Sequence, residues 1–164
     1  MNNLPHFSTR ISLANEAATE ALAARLARLA QPGDVLALRG TLGAGKSTFA
    51  RAFIRALTSP EEEVPSPTFT LLQTYDTDQG PVWHLDLYRL SEPEEALELD
   101  LEEGFATAIC LIEWPDRLGR LLPASRLDLT LAADLGSVGL AVDARRVDLT
   151  GTGRWASVIR EQFQ

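Results

Sequence analysis

From Phe7 to Leu13 apolar and polar side chains alternate loosely, which predicts a strand. The period then lengthens. Ala18, Leu22, Leu26 and Leu29 form an apolar stripe at helical spacing, with Arg25 and Arg28 between them and free to face solvent. Asn15 stands where an N-cap belongs, with Glu16 behind it, and Pro32-Gly33 stops the helix. Asp34 to Arg39 is a short apolar strand, and Ser47 to Leu57 reads as a helix after an intervening glycine-rich turn. Ser59 to Pro67 is a loop carrying the acidic run Glu61, Glu62 and Glu63. Thr68 to Tyr75 is β-like, Asp76 to Gly80 is a turn, and Pro81 to Tyr88 is a second strand, so the pair predicts a hairpin. Glu92 to Glu103 is acidic and mostly helical. Ala108 to Trp114 is a near-continuous apolar run, as expected of a strand covered on both faces. Leu127 to Ala132, Val138 to Val142 and Arg146 to Thr150 alternate. Gly151 and Gly153 punctuate the chain before a short C-terminal helix, Arg154 to Phe163. No repeat, linker or low-complexity segment interrupts this order.

The turn between the first buried strand and its helix is Gly40-Thr41-Leu42-Gly43-Ala44-Gly45-Lys46-Ser47, a complete G-x-x-x-x-G-K-[ST] phosphate-loop motif in its required strand–loop–helix context. Backbone N–H groups at a helix start form a nest for phosphate oxygens, and Gly43 and Gly45 permit the close approach. Lys46 is expected to neutralise the β- and γ-phosphate oxygens, and the Ser47 hydroxyl to ligate Mg²⁺. Lys46 is also the only lysine, against fourteen arginines. A compact ammonium on a flexible stem can follow a phosphoryl group where a planar guanidinium cannot. The single lysine also excludes an N-K-x-D guanine-reading motif, which leaves adenine as the expected base.

Such a loop needs a second-strand carboxylate for the metal shell. Asp86 and Glu113 both sit at or near the ends of apolar strands, where ligands of open α/β sheets bind. The residues alone do not say which of the two positions water. In Ser66-Pro67-Thr68-Phe69-Thr70 a hydroxyl could sense a γ-phosphate, but on local grounds a Ser-Pro turn leading into a strand is the stronger reading. His84 reads as a packed strand histidine, Arg89 as half of a structural ion pair and Cys110 as inert core; Trp114 could stack on a base, though an aromatic at a strand end is usually core.

Composition narrows the partners. The chain has 164 residues, 45% apolar, and is expected to form one domain over residues 1–164. Its net charge of −8 makes it a poor holder of a phosphate backbone, so any contact with nucleic acid is expected to run through a partner. One cysteine excludes an intrachain disulfide and fits a reducing compartment. Met1 to Arg10 lacks the apolar stretch of a secretory signal, and no apolar run approaches membrane-spanning length. The expectation is a cytoplasmic protein without membrane contact.

Four motifs in one order resemble the TsaE (YjeE) family of small bacterial ATPases required for threonylcarbamoyladenosine formation on tRNA. The family pattern runs as a G-D-L-G-A-G-K-T loop, S-P-T-[FY]-T, H-x-D-L-Y-R-L and E-W-P. Here it is matched by Gly40 to Thr48, Ser66 to Thr70, His84 to Leu90 and Glu113-Trp114-Pro115, with Asn15 to Thr19 matching a family helix start. The resemblance reaches to about Pro123. It implies that Thr48 extends the phosphate site, that Thr68 is a switch-like threonine, and that Asp86 is the second-strand acid important for turnover. It also implies that Glu113 lies in the Mg²⁺ sphere and Trp114 beside the nucleotide. Three positions depart from the pattern: Thr41 replaces the usual Asp, Ser47 replaces Thr with its hydroxyl kept, and Asp100 stands where the family usually has Gly. The implied role is ATP hydrolysis in complex with a TsaD–TsaB-like pair, resetting that machinery rather than transferring the threonylcarbamoyl group, with tRNA reached only through those partners. ATP and Mg²⁺ are the implied ligands.

The expected fold class is therefore α/β: a three-layer phosphate-loop NTPase domain whose hairpin and β-rich C-terminus make the sheet mixed. Two other functions use the same loop. A small-molecule or nucleotide kinase would need an acceptor pocket and a basic lid, whereas the arginines here are scattered. A non-hydrolysing nucleotide-gated module would order Ser66 to Thr70 without turnover.

Overall fold

The computed structural model describes residues 3–135 and 142–164. Its elements run in the order β1 (His6–Leu13), α1 (Glu16–Leu29), β2 (Val35–Arg39), α2 (Lys46–Leu57), β3 (Leu72–Thr77), β4 (Gly80–Asp86), a 3-10 segment (Pro93–Leu99), α3 (Leu101–Thr107), β5 (Ile109–Glu113), a second 3-10 segment (Pro115–Leu121), β6 (Arg126–Ala133), β7 (Arg145–Thr152) and α4 (Arg154–Phe163). The strands form one sheet in the order β1-β7-β6-β2-β5-β4-β3. Its centre is parallel, β2 lying between β5 and β6 and β4 beside β5. The β3–β4 hairpin closes one edge, and the antiparallel β7 and β1 close the other. The sheet is thus mixed, as the apolar pattern predicts.

Alternation along each strand sorts the core into two layers. Leu36, Leu38, Ile109, Leu111 and Val82 face α1, α2 and α4, where they meet Leu22, Leu26, Phe49, Phe53 and Trp155. Val35, Leu85, Cys110 and Ile112 face the other side, packing with Ala96, Leu101 and Leu118 from α3 and the 3-10 segments. All five residues of β5 are buried, which explains its continuous apolar reading. Asn15 caps α1 by accepting the Ala18 N–H at 2.9 Å, and Asp143 accepts the Glu16 N–H at 2.9 Å from across the fold.

Several expected boundaries move. The segment expected to be β-like from Thr68 enters the strand only at Leu72, because Leu71 takes a left-handed backbone (φ 69°) that folds residues 67–71 into a turn. The hairpin turn shrinks to Asp78 and Gln79, with Thr77 and Gly80 already paired. The acidic helix is two pieces broken at Asp100, whose φ of 57° and ψ of 46° are the left-handed angles that glycine adopts most freely. Gly151 does not punctuate the chain but lies within β7. A Cβ there would stand 2.4 Å from the Trp155 carbonyl oxygen, so this glycine lets α4 approach the sheet. The alternation from Val138 to Val142 falls, up to its last residue, outside the described residues. Among the described residues no helix is long and apolar enough to cross a membrane.

Two outcomes follow from these positions. Asp100→Gly is expected to raise stability by about 1 kcal/mol in denaturant unfolding, by relieving the left-handed angle. Burial pushes the Cys110 thiol up to about 12. The native protein should therefore resist iodoacetamide at pH 8 and become alkylated only after unfolding, read by mass spectrometry.

Candidate functional site

β2, β4 and β5 end side by side, and their side-chain registers decide what meets there. Asp86 pairs with Glu113, and Leu38 with Glu113, across the parallel strands. Gly40 to Gly45 turn away from the end of β2 and deliver Lys46 to the first turn of α2. Gly40 can make this turn because its φ is 138° and a Cβ would lie 2.5 Å from the Leu131 carbonyl oxygen. A cleft of about 250 Å³ results, lined by Thr41, Leu42, Gly43, Gly45, Lys46, Ser47, Thr48, Ser66, Thr68, Asp86, Glu113, Trp114 and Arg145. Every sequence-designated site residue borders it except Gly40 and Ala44. Ala44 is buried behind the loop, and Gly40 contributes its carbonyl to Lys46.

Lys46 is only 6% exposed. Its ammonium donates to the carbonyls of Gly40 and, at 3.2 Å, Thr41, and it lies 4.1 Å from the centre of the Trp114 ring. Burial holds its pKa below the usual lysine range, against the opposing pull of Glu113 and Asp86. Thr41 serves this contact through its backbone, while its side chain is exposed. Trp114 reaches Lys46 from a left-handed backbone (φ 58°), rare for a bulky residue and a form of strain that clusters at functional sites. Tyr88 packs against the same ring at 5.0 Å.

The two acids are held in different ways. Asp86 Oδ1 accepts the Tyr88 N–H at 3.1 Å, and Oδ2 accepts the Thr68 hydroxyl at 2.9 Å. Thr68 in turn shares a 2.7 Å hydrogen bond with the Ser66 hydroxyl, and the Leu71 carbonyl accepts the Asp86 N–H. Glu113 instead meets His84 Nε2 at 2.7 Å, with both side chains almost wholly buried. An ionised Glu113 accepts the Nε2 proton, and among the described residues His84 Nδ1 is buried without a partner.

Sequence reasoning left His84 as packing and did not designate Arg145 at all. His84 carried a usable signal: it stands two residues before Asp86, on the same strand face. Arg145 had none, since it comes from β7, at the far end of the chain. Arg89 does not form the expected ion pair among the described residues; its guanidinium lies 4.9 Å from the centre of the exposed Phe69 ring.

The family model and the curated relatives point to one family. A family model described as threonylcarbamoyl adenosine biosynthesis protein TsaE matches residues 13–138. The tRNA threonylcarbamoyladenosine biosynthesis protein TsaE of Rickettsia felis is 42% identical over 119 residues, covering 73% of this chain and 70% of its own. That of Bacillus subtilis is 36% identical over 151 residues, covering 91% and 89%. The crystal structure of Bacillus subtilis YdiB superposes with a TM-score of 0.74 at 29% identity, over 99% of this chain and 96% of that one.

The buried pair gives a direct test. His84→Phe strands the Glu113 carboxylate and should cost about 3–5 kcal/mol, whereas Glu113→Gln, which can still hydrogen-bond the imidazole, should cost clearly less in denaturant unfolding.

Proposed function

The chain belongs to the TsaE family, and on that premise we propose that it is a Mg²⁺-dependent phosphate-loop ATPase, folded as one domain, that serves threonylcarbamoyladenosine modification of tRNA in the cytoplasm. One observation carries the reading most: a buried lysine at the start of a helix, behind a glycine loop, faces two buried carboxylates on adjoining strand ends. In this reading the triphosphate lies along Gly40 to Thr48. Lys46 gives up its loop carbonyls for β- and γ-phosphate oxygens, and the loop N–H groups share the developing charge.

The donor set fits Mg²⁺. Among the described residues no three acidic, histidine or cysteine side chains form a metal cage. Mg²⁺ in nucleotide sites does not ask for one, taking one or two carboxylates along with phosphates and water. Ser47 and Glu113 would hold it, with His84 fixing one carboxylate oxygen of Glu113. When bound, the ion neutralises charge between the β- and γ-phosphates. Asp86 and Thr68 border the same cleft and are hydrogen-bonded to each other, which supports a role for the pair in orienting water for in-line attack. Trp114 stands beside Lys46 as the aromatic wall of the nucleotide site.

The proposed partners are a TsaD–TsaB-like complex, with tRNA held by them, since a net charge of −8 suits a protein surface better than a phosphate backbone. The test is phosphate release from ATP with no acceptor added, alone and with the purified partner complex and tRNA. Stimulation by the complex is expected. Absence of both association and stimulation would remove the accessory role. Lys46→Ala should lower turnover at least about a hundredfold, and hydrolysis at the wild-type rate in that variant would sink the ATPase assignment.

A further inference from the structure

Arg145 lies beyond the segment matched by the family model, at the start of β7, yet its side chain ends on the glycine loop. Nε donates to the Ala44 carbonyl at 3.0 Å and Nη2 to the Gly43 carbonyl at 3.2 Å. Nη1 donates to the carbonyls of Val142 and Ala144 at 3.2 and 2.9 Å, which anchors the guanidinium to its own turn. That turn is fixed in its own right, because Asp143 accepts the Glu16 N–H of α1 at 2.9 Å. Two consecutive loop carbonyls are thus gripped by one rigid fork mounted on another part of the sheet.

We infer that Arg145 is a positioning residue for the glycine loop, holding the Gly43 and Ala44 carbonyls in place so that the Gly45 N–H is presented to phosphate. This rests on the nucleotide reading above. The peptide group is planar and trans, so its N–H points opposite to its C=O. Fixing the Ala44 carbonyl therefore aims the Gly45 N–H away from Arg145. That N–H has no backbone acceptor among the described residues, and Gly45 lines the cleft. The Ala44 N–H, by contrast, is already spent on the Thr41 carbonyl at 3.1 Å.

Charge adds to the geometry. Arg10, Arg39, Arg126 and Arg154 each pair with a carboxylate. All of the contacts of Arg145 are to neutral carbonyls, and among the described residues no carboxylate pairs with it. Its guanidinium borders the cleft that Asp86 and Glu113 also line, and Asp143 and Glu16 line a smaller cavity beside it. A glycine loop has little conformational preference of its own, so without the fork it would sample orientations that turn carbonyls toward the anion.

The experiment uses Arg145→Gln, which removes charge and fork, and Arg145→Lys, which keeps charge without the fork. In nucleotide-free protein, hydrogen exchange of the peptide over residues 40–48 should be about tenfold faster in both variants, with exchange of β2 and β5 unchanged. In calorimetric titration the Kd for Mg-ADP should rise about tenfold for both, and the KM for ATP with it, while kcat at saturation stays within about twofold. Wild-type exchange at residues 40–48 in the variants overturns the inference. So does full recovery of affinity by Arg145→Lys, which would reduce the residue to a point charge. If Arg145→Gln fails to fold, Arg145→Lys carries both measurements. A wild-type protein that binds no Mg-ADP overturns the nucleotide reading instead, and the exchange data still decide whether the fork holds the loop.

Discussion

An ammonium ion removed from water must find its solvation in the protein, and the surroundings of Lys46 are organised by that requirement. Its N–H groups reach carbonyls of its own loop, its charge lies against the π face of Trp114, and Glu113 and Asp86 offset the cost of burial from the ends of two further strands. These partners converge only because β2, β5 and β4 are adjacent and parallel, so that their carboxyl ends finish together. The left-handed backbone of Trp114 is part of the same arrangement. A strained angle costing about 1–3 kcal/mol persists where surrounding contacts over-determine it, and here Tyr88 and Lys46 both pack on the ring.

The two carboxylates share a register but not an environment. Glu113 is tied inward to His84, at a depth where an unpartnered carboxylate would be costly, so its position belongs to the core. Asp86 is tied outward to Thr68, in the turn before β3. That turn contacts the site through the Thr68 hydroxyl and through the Leu71 carbonyl, which accepts the Asp86 N–H. Asp86 is thereby linked by hydrogen bonds to residues 66–71, which carry the exposed Phe69 with Arg89 stacked on it.

Support for the glycine loop comes from the β-rich C-terminal part of the chain. Arg39, at the end of β2 where the loop begins, joins Asp128 of β6 and Asp116 of the 3-10 segment after Trp114, with Arg126 sharing Asp128. Arg145 of β7 reaches two carbonyls of the loop itself. A loop rich in glycine has little rigidity of its own, and this one is held by a fork from a strand that no sequence motif marks.

How much of this was legible in the sequence depends on how far each feature reaches along the chain. Local periodicity located β1, α1, β2, α2, β5 and α4, because burial of one face or of both imprints a period of 2 or 3.6, or a solid apolar run. It misjudged the start of β3, where the left-handed Leu71 reverses the chain without a glycine to announce it, and it passed over Asp100 for the same reason. The glycine loop, Lys46, the strand-end acids and the acidic surface are properties of short stretches or of composition, and the sequence by itself determined them. The tertiary structure decided what those residues touch: Asp86 beside Glu113, His84 on Glu113, Thr68 folded back onto Asp86, and Arg145 on the loop. These contacts join residues far apart in the chain, and they follow from parallel crossovers whose strand order and register no local period encodes.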